Sequence, residues 1–368
     1  MSVRSVRLLA VALAATVALV GCASPSSPSS SGAPAASASS SLPLAQLDLL
    51  ADPLSYVGPS TAVLVDAAVE TVTPNAAQTL PATVTSHDLD GDTSVTVTST
   101  DRILGVDMSG SIAATIFGLG FGDSVVGRDV STTFPSAIDL PVVTTGGHSI
   151  NSESIIALRP TVVITDGTIG PIDVILQLRD AGIPVVFVDT EPSTEGVGEL
   201  ARQVSAALGA PEAGENLAEH LTDEIDAKVA EIAAIAPAEG SKLRMLFLYL
   251  RGSAGVYYLF GSESGADELI LGLGGIDVAD EIGWEGMKPM TDEAMIAANP
   301  DLILVMTDGL ESAGGIDELL VTKPAIGLTK AGQNRRFVDM ADGEILSFGP
   351  RTPAVFDALA RAVYAPEG

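Results

Sequence analysis

From Asp101 onward the apolar positions repeat one figure. Short β-branched or aliphatic runs (RILGVD, SVVGRD, PVVTT, TVVITD, PVVFVD) alternate in several places with segments such as GSIAATIFGLG, NSESIIALR and PIDVILQLRDAG. In those segments the apolar residues recur every three or four positions, so the alternation predicts βα units and a mostly parallel sheet. A long helix follows in AGENLAEHLTDEIDAKVAEIAAIA, with Leu217, Leu221, Ile225, Val229 and Ile232 along one stripe. His220 falls with Asn216 and Glu224 on the polar side and reads as solvent-facing and without function. The alternation then resumes in LRMLFLYL, GVYYLFG, GADELILGLGG, TDEAMIAANP and DLILVMTDG.

The two alternating stretches share a plan. GSIAATIFGLG at 110–120 matches GADELILGLG at 265–274, and ESIIALRP at 153–160 matches EAMIAANP at 293–300. Each later segment runs through an aliphatic strand to Thr-Asp-Gly, at 165–167 and 307–309. The expected architecture is α/β: two similar Rossmann-like lobes, residues 101–210 and 238–366, joined by a long helix at 211–237, with a cleft between them. The Gly-Leu-Gly elements follow helices, so they read as helix C-caps and not as a dinucleotide fingerprint. There is no Gly-x-Ser-x-Gly elbow, Walker loop or His-Glu-x-x-His, and an enzyme is not expected. Within residues 43–100, the first part to about 80 reads as irregular. PATVTSHDLDGDTSVTVTS then reads as a hairpin. Its DLDGD turn departs from a calcium loop in its glycine position and lacks a twelfth-position glutamate, so His87 is expected to be a solvated turn residue.

The amino terminus changes the setting. Arg4 and Arg7 precede an apolar run, Leu8 to Val20, too short to span a bilayer permanently. It ends Leu-Val-Gly-Cys, so residues 1–21 read as a signal peptide and Cys22, the only cysteine, as a lipidation site. Residues 22–42 read as the lipidated cysteine and a Ser/Pro/Ala tether. The globular body is therefore expected on the extracellular face of the cell membrane, held by lipid alone. The formal charge is −29, and −31 once residues 1–21 and their two arginines are removed. That balance argues against nucleic acid and an anionic membrane surface as partners, and an anionic ligand needs a local basic patch. A monomer is expected.

A lipobox, a tether and two α/β lobes on one long helix resemble the class III substrate-binding proteins of ABC importers. Within that class the chain closely resembles the haem-binding lipoproteins of actinobacteria (HmuT-like). The match is carried by VVGRD at 125–129, TTGGHS at 144–149, LYLRG at 248–252, GWEGMKP at 283–289 and FGPRTP at 348–353. The resemblance implies a non-catalytic protein that captures haem and passes it to an ABC permease and its ATPase. It also implies that one exposed acid per lobe docks on the permease. Glu153 and Glu293 hold equivalent repeat positions near helix starts, and acids there also favour the helix dipole.

The residues bear chemistry of the right kind. Ferric haem takes imidazole, phenolate or thioether axial ligands. His148 lies in Gly-Gly-His-Ser beyond PVVTT, at the carboxyl end of a predicted parallel strand, where α/β sheets bind ligands. Tyr249 and Arg251 lie two apart, hence on one face of their strand. Arg251 is expected beside the Tyr249 oxygen, favouring phenolate. His148 and Tyr249 are the expected axial ligands, with Tyr258 in support. Where some relatives carry a tyrosine, this chain has Met287. Met287 or Met290 is an alternative thioether or a packing residue. Trp284 is a macrocycle stack or a surface anchor, and Lys288 and Arg351 are propionate partners. A ferric-siderophore or cobalamin carrier of the same fold is the alternative, though five tyrosines and one tryptophan supply few aromatic contacts. An exported structural or enzymatic lipoprotein is a third reading, and no nucleophile–base pair supports it.

Overall fold

The computed structural model describes residues 42–145, 147–252 and 257–367. The expected signal peptide, Cys22 and most of the tether lie outside the described residues. No helix among those described is long and apolar enough to cross a membrane.

Strand β1 (Ser60–Ala62) comes first, then a hairpin of β2 (Ala82–Ser86) and β3 (Thr93–Val97). In the N-terminal lobe, β4 (Ile103–Val106) is followed by the short pair β5 (Thr144–Thr145) and β6 (Ser149–Ile150), then β7 (Val162–Thr165) and β8 (Val185–Phe187). Strands β4, β7 and β8 form a parallel three-stranded sheet, while β5 and β6 pair antiparallel beside it. The expected helices fall at Ser111–Gly118, Ser152–Leu158 and Ile172–Asp180. SVVGRD and most of PVVTT do not form strands. They contribute single bridges, Ile103 with Val125 and Arg128 with Val142, because Gly127 and Pro141 interrupt any longer ladder.

The C-terminal lobe holds β9 (Arg244–Leu250), β10 (Tyr257–Phe260), β11 (Ile276–Asp277), β12 (Met287–Pro289), β13 (Leu302–Met306) and β14 (Phe337–Met340). Its sheet runs β1-β14-β13-β9-β10-β12, with β11 added beside β9. The β9–β10 and β10–β12 pairs are antiparallel, so this sheet is mixed and not simply a second parallel one. The stretch expected to be irregular supplies β1, which pairs Ser60 with Val338 and so belongs to this lobe's sheet.

The predicted long helix is Pro211–Ile235, packed against a second helix, Thr194–Ala207, that the apolar pattern had not singled out. A side chain at Gly214 would collide with Ser205, so glycine permits the close crossing. One apolar cluster runs through both lobes. It joins Ile103 and Ile112, Leu200 and Leu217 of the paired helices, and Phe247, Leu304 and Phe356. Each sheet turns its other face to a cluster of its own, around Val163 and Ile175 in one lobe and Leu248 and Ile303 in the other. The Gly-Leu-Gly segments end their helices as expected, with Gly120 at φ +88° and Gly274 at φ +73°.

Candidate ligand site at the strand ends

In the N-terminal lobe the site is built at the carboxyl ends of β4 and β7. Asp107 directly follows β4 and is completely buried. Its carboxylate accepts from the backbone N–H groups of Ser111 (2.9 Å) and Ile112 (3.1 Å), at the amino terminus of helix Ser111–Gly118. Asp129 lies against it and accepts from the Asp107 N–H at 3.2 Å and the Thr132 N–H at 2.7 Å. Burial, then the Asp129 charge, pushes Asp107 up to about 7, and burial raises Asp129 as well. The pair stitches the loop after Gly127 to the end of β4. The neighbouring turn is fixed by Asp166, which accepts from the Thr168 N–H and hydroxyl, while the Thr168 hydroxyl oxygen accepts from the Met108 N–H. Sequence reasoning had passed over Asp107 and Asp129, although each ends a predicted strand with an acid.

His148 sits in the turn between β5 and β6. Ile150 N–H donates to the Gly170 carbonyl at 2.7 Å, and Ser149 bridges Gly170, so the hairpin is held beside the loop that follows β7. The His148 ring is partly buried, and its Nδ1 is enclosed without a hydrogen-bond partner. Met108 and Val130 expose apolar side chains on loops tied to Thr168 and Thr144.

In the C-terminal lobe the register of β9 decides what Tyr249 faces. Tyr249 pairs with Tyr258, and Phe247 with Phe260. Cross-strand partners share a face, and the rings meet there, Phe260 stacked on both Phe247 and Tyr249 and Tyr258 tilted against Tyr249. Tyr249 lies 5.8 Å from Phe260 and 6.3 Å from Tyr258, and Phe247 lies 5.2 Å from Phe260. Met287, opposite Phe260, joins this face and is 54% exposed. Among the described residues nothing hydrogen-bonds the Tyr249 hydroxyl, whereas the Tyr257 hydroxyl donates to Asp292 at 2.9 Å.

Three expected supports, Arg251, Lys288 and Arg351, are placed differently, and Trp284 takes one of its two expected roles. β9 ends at Leu250, so Arg251 leaves the pleat, and its guanidinium carbon lies 5.8 Å from the Tyr249 ring centroid. That is a cation–π contact, not the expected hydrogen bond to the oxygen. Lys288 pairs with Leu259, which puts it on the face opposite Tyr249. Trp284 packs against the lobe's own cluster, with Nε1 enclosed and unpartnered, in the anchor role. Arg351 is 2% exposed, donates to the Gly343 carbonyl at 2.9 Å and lies 3.6 Å from Glu344. It is therefore an internal cation and not one offered to a propionate. Met290 is buried in the core, which removes it as a thioether ligand. His87 is partly enclosed, its Nδ1 3.0 Å from Asp92 and 3.4 Å from Asp189. Asp88 in the same turn meets Arg179 at 2.6 Å, which holds Asp88 at about 2.

Glu153 and Glu293 are both exposed, each the second residue of its helix. Asn151 caps the first helix by accepting from the Ser154 N–H, and Thr291 caps the second by accepting from the Ala294 N–H. Both helices end on a left-handed residue, Arg159 at φ 47° and Asn299 at φ 42°.

Residues 106–342 match the family model for periplasmic binding proteins. A solved haem-binding protein, HmuT, is 40% identical, covering 85% of this chain and 99% of that one, with a TM-score of 0.78. Variants of HmuT with an arginine, a tyrosine or a histidine replaced by alanine have also been solved. The periplasmic haem-binding protein RhuT from Roseiflexus sp. RS-1 is 37% identical, covering 72% of this chain and all of that one, with a TM-score of 0.63. An uncharacterized ABC transporter substrate-binding lipoprotein of Bacillus subtilis strain 168, YvrC, is 26% identical over 251 residues, which is 67% of this chain and 76% of that protein. Two α/β lobes on a shared helical core, matched by the family model over most of the body, identify the chain as a member of the periplasmic binding proteins.

Proposed function

We infer that this chain is the extracytoplasmic haem-binding component of an ABC importer, non-catalytic, with Cys22 as its lipid anchor. The observation that carries the reading is Tyr249. It is a phenol at the carboxyl end of a strand, stacked in an aromatic face, beneath a guanidinium, and without a hydrogen-bond partner for its hydroxyl among the described residues. A tyrosine oxygen without another partner is available to bind Fe(III). His148 presents an unpartnered imidazole nitrogen at the strand ends of the other lobe. Tyr249 and His148 are the two axial ligands in this reading. The apolar exposure of Met108, Val130 and Met287 suits a macrocycle. Similarity to HmuT and RhuT supports the ligand. The arginine and tyrosine replaced in HmuT lie two positions apart, as Arg251 and Tyr249 do. Glu153 and Glu293 are the acids that meet the permease.

Haem titration of the purified protein tests the reading. One equivalent of hemin is expected to give a sharp Soret band with a tyrosinate-type visible spectrum. Retention of cobalamin or a ferric siderophore, with no specific haem band, would overturn it in favour of another cargo of the same fold. Cys22→Ala is expected to move the protein from the membrane fraction to the soluble one, and continued retention would remove the anchor.

A further inference from the structure

Away from the strand ends, the linking helix carries His220 and Glu224 one turn apart on the same face. The preceding turn is pressed onto helix Ser111–Gly118, where a Cβ at Gly118 would lie 3.3 Å from the Leu217 side chain. The segment after Glu70 is tied to the end of that same helix. The Val72 N–H donates to the Gly118 carbonyl at 2.9 Å, and the Thr71 hydroxyl donates to the Phe117 carbonyl at 3.3 Å. These two attachments bring Glu70 alongside the linking helix. One ligand atom each from Glu70, His220 and Glu224 then lies within 4.8 Å of the others.

Three features separate this trio from a patch of surface acids. Its central member is an imidazole, a borderline ligand that hard cations such as calcium do not select. The His220 Nε2 is enclosed yet makes no hydrogen bond, with the Glu224 carboxylate 3.5 Å away. Among the described residues neither Glu70 nor Glu224 forms an ion pair with lysine or arginine, so both carboxylates are free to bind a cation.

We propose that Glu70, His220 and Glu224 form a binding site for a divalent transition metal of the zinc type. One nitrogen and two carboxylate oxygens, with water in the fourth position, make a tetrahedral set. Ligand atoms ~2.1 Å from zinc stand ~3.4 Å apart in that geometry. Rotation of the two exposed glutamate side chains would close the remaining gap. The metal would clamp the segment leading out of the tether onto the helix that joins the lobes.

Calorimetric titration of the haem-free, chelator-treated full-length protein with zinc chloride tests this. The wild type is expected to bind one equivalent, and the thermal unfolding midpoint is expected to rise with zinc. His220→Ala is expected to abolish that binding. Glu224→Gln and Glu70→Gln each remove a ligand, so each is expected to weaken it by at least the ~10–100-fold that loss of an outer-shell partner costs. The three histidines of the chain make the controls simple. His148→Ala and His87→Ala are expected to bind zinc as the wild type does. The proposal fails if the wild type binds no zinc, if His220→Ala retains full affinity, or if His148→Ala alone abolishes binding. The last result would place the metal in the haem site. His220 is partly exposed, so its replacement leaves the core intact, and circular dichroism of the variant establishes that it is folded.

Discussion

The two lobes repeat one plan but present their candidate ligands by different means. In the C-terminal lobe Tyr249 belongs to the seven-residue strand β9 and is fixed by register against Tyr258. In the N-terminal lobe His148 rides on a turn between two-residue strands, attached to the loop after β7. Short ladders make few backbone hydrogen bonds and open at low cost. The phenol is thus held rigidly, while the imidazole is carried on the part of the site that adjusts. For the proposed iron site an order of importance follows, with Tyr249 expected to define the iron position and His148 to complete it.

That order is broken or sharpened by replacing each ligand alone. Tyr249→Phe keeps the ring and its stacking and removes only the oxygen. It is expected to lower haem affinity by more than the ~10–100-fold that losing an outer-shell partner costs a metal site, and to abolish the tyrosinate bands. His148→Ala is expected to leave a five-coordinate Tyr-bound haem with a smaller loss and faster haem transfer to apomyoglobin. If His148→Ala proves the more damaging, the rigid lobe does not define the iron position.

Arg251→Ala comes next. A guanidinium over an exposed ring contributes ~0.5–1 kcal/mol, so haem affinity is expected to fall only ~2–5-fold. The informative readout is the pH at which haem is lost. If Arg251 stabilises the iron-bound tyrosinate through its contact with the ring, the variant is expected to lose its tyrosinate bands sooner as pH falls. Identical pH titrations would leave Arg251 a packing role alone.

Much of this was legible in the chain, for reasons that also mark the limit. Periodicity located the helices because the 3.6-residue stripe is local, and Asn151, Thr291 and the Gly-Leu-Gly segments marked helix ends because caps are local too. Whatever depends on pairing across the chain was hidden. β1 reads as irregular because its three residues become a strand only beside Val338. Lys288 reads as free to reach the ligand because its face is set only by the register of β12 on β10. Arg251 reads as sharing a face with Tyr249 by the strand's two-residue repeat, but β9 ends one residue before it. Arg351 reads as a surface cation because a buried arginine has no sequence signature of its own. At the candidate site, His148 and Tyr249 were reached through residue chemistry and family likeness, and the pair Asp107–Asp129 only through coordinates.

The two acids proposed to dock on the permease, Glu153 and Glu293, test the lobes' equivalence instead of their difference. Each sits at the same helical position behind a capped amino terminus and is exposed to solvent. Glu153→Arg together with Glu293→Arg is expected to leave haem affinity unchanged, since first-turn charge is worth ~0.3–1 kcal/mol to the helix. Haem-dependent growth of the host is expected to cease. Single reversals that give half effects would establish that both lobes engage the permease, and normal growth of the double variant would exclude docking through these residues.

The smallest expected effect lies where the repeat itself departs from symmetry. Aligning Gly110 with Gly265 sets Ser262 where the N-terminal lobe has Asp107. Both helices start after a left-handed glycine, but only Asp107 places a buried carboxylate beneath the amino terminus. Burial and Asp129 raise its pKa to about 7, well above the ~3.9 of an unfolded aspartate. Between those values the native state keeps a proton that the unfolded state has lost. Stability is therefore fullest below about pH 4 as far as this group is concerned, and declines as pH rises through about 7. Asp107→Asn stays neutral throughout and is expected to show a flatter decline in urea midpoint between pH 5 and 8, with haem affinity little changed. The helix amino terminus opposes this trend by favouring the anion. If the variant and the wild type decline in parallel, the peptide dipole and the two backbone donors already compensate the buried charge, and the departure from the repeat carries no pH dependence.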